Sequence, residues 1–408
     1  MTDFVITGGV SSNYPLLHYG CQMVGNRATY CLPQDFVTGF DANVLAIPNL
    51  QVSVLSSTPV TVSDSFFGMS VQNRENDALP GITAKVTRSH DLKSGTGMWK
   101  YIETSDGVFN WANIDSWVNT HYAAGRDLVF TLYGTPAFFS ARPTEQCAYG
   151  ASYLGVAAEP SDLTKWSRFC TQVATRYLGK IKYYEVWNEP NYLNDGTNLP
   201  SSPGSFYFSG TFATLSQMTR LANQAIKAVD PTAKIISPPI TVWSPTAGQA
   251  AETWFTSMMA ASDGAAGTMA QWVDIIGVHL YTAAPNRTQD LSGMIDRVKA
   301  AMVTASVTGK EIWDTESAPV GTGNTVSDMT DPRAGAIIAR SMFTMAAKGI
   351  ARTIYYQYDH GTMGIMNRGA ADWRESMASV LKSGSVLNAY WFTDGRIAYT
   401  TASGLVII

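Results

Sequence analysis

The chain has 408 residues, a formal net charge of −4 and 15% charged residues. That length buries a large core and accommodates one eight-fold barrel with about 100 to 150 residues of additions. The slightly acidic balance, with no run of Lys or Arg, excludes a nucleic-acid-binding surface.

Residues 1 to about 64 are rich in Val, Thr, Ser and Gly and alternate as strands do around Leu50 to Val62, without helical periodicity, so they read as a β-rich segment. The amino terminus, Met1-Thr2-Asp3-Phe4-Val5, lacks the basic and apolar runs of a signal peptide, and no window is long enough to span a membrane. The expected location is therefore the cytosol, or outside by a route that needs no cleaved signal, unless the chain has been trimmed; a virion component released by lysis fits the second case. Cys21, Cys31, Cys147 and Cys170 show no CxxC spacing and no interleaving with His, which argues against a structural metal. Cys21 and Cys31 are open to a short disulfide or to two buried thiols.

From Phe66 onward, short apolar strands alternate with amphipathic helices, the pattern of a parallel sheet with crossover helices. The predicted strands are Phe66 to Val71, Ala84 to His90, Asp127 to Tyr133, Lys182 to Trp187, Lys234 to Pro238, Val273 to Tyr281, Glu311 to Thr315 and Thr353 to Tyr358. Helices are predicted at Ile114 to Ala124, Leu163 to Tyr177, Ala213 to Val229, Leu291 to Ala305 and Ala334 to Ala347 from apolar residues three and four apart. Eight such units predict an α/β fold, a closed (β/α)8 TIM barrel over residues 65–385. Its first crossover, Gln72 to Ile82, is too short and proline-broken for a full helix. The tail, 386–408, carries turn signals at Asp394-Gly395 and Ser403-Gly404 between short apolar runs. It is expected to pair with the N-terminal segment as a β-rich appendage.

Two strands end alike. Lys182-Tyr183-Tyr184-Glu185-Val186-Trp187 runs into Asn188-Glu189-Pro190-Asn191, and Glu311-Ile312-Trp313-Asp314-Thr315 runs into Glu316-Ser317. A carboxyl group at such a strand end, in apolar surroundings, has its pKa pushed toward neutrality, which suits a general acid. In a barrel both groups would reach the carboxyl face, where catalytic residues gather. Two carboxylates delivered by two strands suggest hydrolysis of a glycosidic bond. The 19 Tyr and 11 Trp, 11% aromatic with Phe, suit stacking on sugar rings as well as packing.

Several strings fall in order along the chain: Arg88 and Asp91 near the end of strand two, Thr135-Pro136 after strand three, Trp187-Asn188-Glu189-Pro190-Asn191, Asp230-Pro231, His279-Leu280-Tyr281 and Trp313-Asp314-Thr315-Glu316. In these the chain resembles the clan of retaining glycoside hydrolases with an eight-fold barrel (clan A), most closely family 39 and related bacterial exopolysaccharide hydrolases, over roughly Phe66 to Asp359. The resemblance implies Glu189 as acid/base and Glu316 as nucleophile, with Asn188 donating to the sugar 2-hydroxyl. His279 and Tyr281, two apart on one strand, share a face, and either is placed to orient Glu316. Arg88 is expected to keep Glu316 ionised, or to pair structurally with Asp91. Tyr358 stands where many relatives carry a Trp platform. Glu185 and Asp314 read as supporting residues inside their strands.

The resemblance implies no metal or nucleotide cofactor. The expected partner is a polysaccharide, with no nucleic acid and no membrane, and the terminal β segments would make virion or homo-oligomer contacts. Loops Ala141 to Glu159 and Asn191 to Ser209 are long enough to wall a cleft, which favours internal cleavage of a polymer. The expected activity is that of a retaining hydrolase of bacterial surface polysaccharide or exopolysaccharide, borne on a phage tail as a depolymerase or acting on a bacterium's own exopolysaccharide. The competing class is a sugar-binding or structural virion protein that keeps the barrel without the chemistry.

Overall fold

A computed structural model of the chain describes residues 64–74, 76–79, 84–192, 206–243, 249–265, 267–282, 290–318, 338, 340–342 and 344–359, together with the backbone of short strands toward the two ends. Eight parallel strands form the barrel: β1 (Phe67–Met69), β2 (Val86–Arg88), β3 (Asp127–Leu132), β4 (Tyr183–Val186), β5 (Lys234–Ile236), β6 (Ile275–Tyr281), β7 (Glu311–Ser317) and β8 (Arg352–Tyr355). Each pairs with its sequence neighbours, β8 returns to β1, and the seam between β5 and β6 closes through one pair, Ile236↔Ile275. A short strand, Ile240–Trp243, then takes over as the neighbour of β6.

Why these residues form these elements is visible in their burial. The seven residues of β6 are all buried, as a strand covered on both faces requires. Val86, Val129, Ile236, Ile275, Trp313 and Ile354 meet inside the barrel as one apolar cluster below the site. Room there is limited: a Cβ on Gly68 would lie 2.8 Å from Ile354 Cγ1, and one on Gly277 would lie 3.0 Å from Ile236 Cγ2 at the seam.

The outer layer contains α1 (Ala112–Ala123), α2 (Leu163–Arg176), α3 (Phe212–Val229), α4 (Gln249–Ala260) and α5 (Asp290–Thr304). Asp162 caps α2 by accepting from Thr164 N at 2.9 Å, and Thr211 caps α3 by accepting from Thr214 N at 3.0 Å. Trp166, Phe169, Cys170 and Val173 recur at helical spacing and form the buried stripe of α2. Trp166 is fully buried, so its truncation to Ala would cost about 3 to 5 kcal/mol. Helix α4 is not among the helices predicted from sequence. The predicted helix at Ala334 to Ala347 is represented by helical residues 338, 340–342 and 344–347. Between β1 and β2 the described residues contain no helix, as expected for the irregular first unit.

Toward the ends, Phe4–Ile6, Cys21–Val24 and Arg27–Tyr30 form one antiparallel sheet; Val60–Thr61 pairs with Ser385–Trp391 in another that includes Ile397–Thr401 and Gly404–Ile407. The rest of the predicted appendage lies outside the described residues, as does any bond between Cys21 and Cys31. Cys147 and Cys170 are free and buried. Among the described residues no helix is long and apolar enough to cross a membrane.

Candidate active site

The carboxyl ends of β2, β4, β6, β7 and β8 converge on two carboxylates, Glu189 and Glu316, which are 7% and 6% exposed. The chain beyond β4 turns through left-handed backbone at Trp187 (φ 65°) and Glu189 (φ 43°), a conformation that side chains other than glycine adopt at a cost of about 1 to 3 kcal/mol each and that clusters at functional sites. The surroundings hold that turn. The Trp187 ring packs on Trp166 of α2 and Phe208, and its Nε1 donates to Tyr207 O at 2.8 Å. With Trp187 drawn into the helical layer, Asn188 and Glu189 face the barrel.

Arg88, wholly buried, ties the centre together. Its Nε donates to Glu185 Oε2 at 2.6 Å, its Nη1 to Glu316 Oε2 at 2.6 Å and its Nη2 to Asn188 Oδ1 at 2.7 Å. Burial alone would ease off its proton, but Glu185 and Glu316 outweigh that and make the guanidinium a fixed cation. Asp91 is not its partner, contrary to the ion-pair alternative. Asp91 instead accepts from Tyr356 Oη at 2.7 Å and lies 3.6 Å from His90 Nε2.

Tyr281 Oη donates to Glu316 Oε1 at 2.7 Å, as the sequence predicts for one of the two β6 residues. His279 does something else: its Nδ1 is 2.7 Å from Glu189 Oε1 and 4.0 Å from Glu316 Oε1. It shares the interior face with Tyr281 but sits one pleat lower, opposite β4. Glu189 therefore meets an imidazole rather than purely apolar neighbours.

The electrostatics of Glu316 follow from this packing. Burial pushes its carboxyl up, but His279, His90 and Arg88 together outweigh burial and hold it well below the usual carboxylate range. The His279 imidazolium is destabilised by burial and favoured by Glu316 and Glu189, which raise its pKa overall. His90, whose Nδ1 lies 3.3 Å from Glu316 Oε2, is a member of the site that sequence reasoning missed. The only signal was its position two residues after Arg88, which puts both on one strand face.

Tyr358 is half-buried against the core, with its amide on Ser70 O at 2.9 Å. The β8 ring beside the carboxylates is that of Tyr356, whose hydroxyl is pushed up by burial and by the charges of Asp91 and Glu316. Both tyrosines follow Tyr355, the last residue of β8, and the Tyr356 hydroxyl reaches Asp91 beside His90.

An aromatic wall rises beside the pair. Rings of His90, Tyr133, Tyr149, Tyr207 and Tyr192 follow one another at centroid distances of 4.8, 6.0, 4.6 and 5.0 Å. Tyr149 belongs to the predicted cleft loop Ala141 to Glu159, which Arg142 braces through both Glu159 oxygens, at 3.0 and 2.6 Å, and Ser209 Oγ at 2.7 Å. Of the loop from Asn191 to Ser209, residues 193–205 lie outside the described residues. Asn191 pairs with Thr241 as a strand residue would, donating from Nδ2 to its carbonyl and accepting from its amide, each at 2.9 Å.

One ligand atom each from Glu189, His279 and Glu316 lie within 4.8 Å of one another, a spacing that a cation could bridge. Arg88 already places a positive charge 2.6 Å from Glu316 and competes for that carboxylate. The same spacing bounds the gap between the two carboxylates. Retaining glycosidases separate theirs by about 5 to 5.5 Å and inverting ones by about 6.5 to 9.5 Å.

No family model and no curated protein sequence matches this chain. Solved structures do, and they define the class of fold: the barrel of the glycoside hydrolases of family 39 and its structural relatives. A monomeric β-xylosidase from Caulobacter crescentus CB15 is 17% identical, with a TM-score of 0.58 over 85% of this chain and 74% of that chain. The family 39 enzyme from Xanthomonas axonopodis pv. citri is 16% identical, with a TM-score of 0.57 over 85% and 72%. A family 44 xyloglucanase from Paenibacillus polymyxa is 11% identical, with a TM-score of 0.52 over 88% and 87%. At these identities the likeness is one of fold, and it agrees with the resemblance drawn from the strand-end motifs.

Proposed function

We propose that this chain is a retaining glycoside hydrolase that cleaves bonds within a polysaccharide. The observation that carries the reading is the pair Glu189 and Glu316, buried at the ends of β4 and β7 with one oxygen of each within 4.8 Å, which favours the short gap of about 5 to 5.5 Å found in retaining enzymes.

Glu316, kept ionised by its cationic neighbours, attacks the anomeric carbon as the glycosidic C–O bond breaks. Glu189, oriented by its contact with His279 Nδ1, passes a proton to the departing oxygen. Water then attacks the glycosyl–Glu316 ester on the same face, gives its proton to Glu189 and releases the sugar with retained configuration. Asn188, its Oδ1 held by Arg88, keeps Nδ2 to donate to the sugar 2-hydroxyl, a bond that strengthens as positive charge develops on the ring. Tyr281 steadies the nucleophile, and Tyr356 joins Tyr358 as a candidate platform.

The aromatic wall supports a polymeric substrate. Tyr149 Oη is buried without a hydrogen-bond partner among the described residues, ready for a sugar hydroxyl. The proposed substrate is bacterial surface polysaccharide or exopolysaccharide, with the terminal strands making virion or homo-oligomer contacts in a phage-borne depolymerase. A bacterial enzyme acting on its own exopolysaccharide is the alternative setting.

The test is to incubate wild type and Glu316→Gln with purified bacterial capsular and exopolysaccharides and 4-nitrophenyl glycosides, following new reducing ends and the anomer first released. Retained-anomer products from wild type alone are expected. Inverted product would overturn the nucleophile assignment, and binding without cleavage by either protein would favour a sugar-binding protein on a hydrolase barrel.

A further inference from the structure

Strict alternation along β7 would put Glu316 on the wrong face. Trp313 points into the barrel, 4.7 Å from the Tyr183 ring, so alternation carries Thr315 and Ser317 inward and leaves Asp314 and Glu316 toward the helices. Asp314 does lie on the outer side, hydrogen-bonded by Ser317 Oγ, yet Glu316 is inside with Arg88 and Tyr281. The change of face occurs at a bulge. Strand β7 pairs with β8 as Asp314↔Thr353 and next as Ser317↔Tyr355, three steps on one strand against two on the other.

A bulge interrupts the regular ladder, and here one side chain gathers a main-chain donor of β6 and hydroxyls of β7 and β8 around it. The β6–β7 register runs from Ile275↔Glu311 to Val278↔Asp314 and stops; beyond it, Leu280 N donates to Asp314 Oδ1 at 3.1 Å. From β8, Thr353 Oγ1 donates to Asp314 Oδ2 at 2.7 Å, and Ser317 Oγ donates to the same oxygen. Asp314 is fully buried, and burial pushes its carboxyl up to about 6 even with three donors on it. A group kept in so unfavourable a place is better explained by the geometry it enforces than by the stability it adds.

We propose that Asp314 is a positioning residue: its carboxylate ties β6, β7 and β8 together across the bulge and thereby holds Glu316 turned into the barrel. The effect on turnover rests on reading Glu316 as the nucleophile; the effect on geometry does not.

Both are tested with Asp314→Asn, which keeps one acceptor oxygen, Asp314→Ala, which keeps none, and Thr353→Val, which removes one donor and leaves Asp314 in place. Crystal structures of the variants and wild type come first. In Asp314→Ala, Glu316 is expected to lose its bond to Arg88 Nη1 or to Tyr281 Oη, while the Glu189–His279 pair stays as it is. Glu316 found in its wild-type position would overturn the proposal.

Kinetics on the 4-nitrophenyl glycosides that wild type turns over come second. In Asp314→Ala, kcat is expected to fall about 100-fold with KM changed by about 3-fold or less, and Asp314→Asn is expected to recover about ten-fold of that loss. A loss carried by KM, or no recovery in Asn, would also overturn it. If wild type turns over no glycoside, the proposed activity fails while the crystal structures still decide the positioning role. If Asp314→Ala does not fold, Thr353→Val decides: a displaced Glu316 and a several-fold lower kcat support the proposal, and an unmoved Glu316 with unchanged kcat overturns it.

Discussion

The ends of β4 and β7 each deliver a buried glutamate to the same point, by opposite means. At β4 the backbone bends: Trp187 and Glu189 adopt left-handed angles, and an aromatic cluster in the helical layer holds them there. At β7 the strand keeps its direction and gains a residue, and the side chain of Asp314 ties β6 and β8 to it across the bulge. The chemical settings differ as much. Glu316 sits among Arg88, His90 and Tyr281, whereas the polar side chain on Glu189 is His279. One residue type thus meets two settings, the first among cations and a phenol, the second against an imidazole.

The largest effect that would break this contrast is expected from Glu316→Gln, which should lower kcat by at least about 10⁴-fold on every substrate and leave the far-ultraviolet circular dichroism unchanged. Residual turnover near wild type would remove the attacking role from the β7 end. Glu189→Ala should be selective: a loss of about 10² to 10⁴-fold on poor leaving groups, and far less on activated aryl glycosides. Equal losses on both would erase the distinction between the two ends.

Arg88→Met strips the β7 side of its cation and leaves Glu185 and Glu316 buried without it, so urea denaturation should show a loss of about 3 to 5 kcal/mol. Adding Glu185→Gln should return part of that loss, and failure to do so would mean that the ion pairs are not the cause. The smallest effect concerns the β4 side. Because the folded-state pKa of His279 is raised above its ordinary 6.5, the stabilisation it draws from both carboxylates is fully present below that value and fades as pH rises through the folded-state pKa. The stability gap between wild type and His279→Gln should narrow over that rise, as melting curves would show, and a gap constant with pH would contradict it.

Sequence made Glu189 and Glu316 legible because each closes an apolar run with a polar, turn-forming string, and the repeated strand–helix periodicity put those runs at strands four and seven. Arg88, Asn188 and Tyr281 were within reach by the same counting. What escaped depended on departures from regularity. The β7 bulge cannot be seen in Trp313-Asp314-Thr315-Glu316, since alternation alone turns Glu316 outward. His279 shares a face with Tyr281, but only the depth of each pleat relative to β4 assigns it to Glu189.

The pairing of Asn191 with Thr241 has a use beyond the site. Where β5 gives way to Ile240–Trp243, the wall is joined to the loop carrying Glu189 by one side-chain amide in place of a strand. The Thr241 N–H is therefore shielded from solvent deuterium only while that loop is docked. Its exchange rate is a built-in clock for excursions of the acid-bearing segment, readable without substrate and distinct from the slower exchange of the barrel strands beneath it.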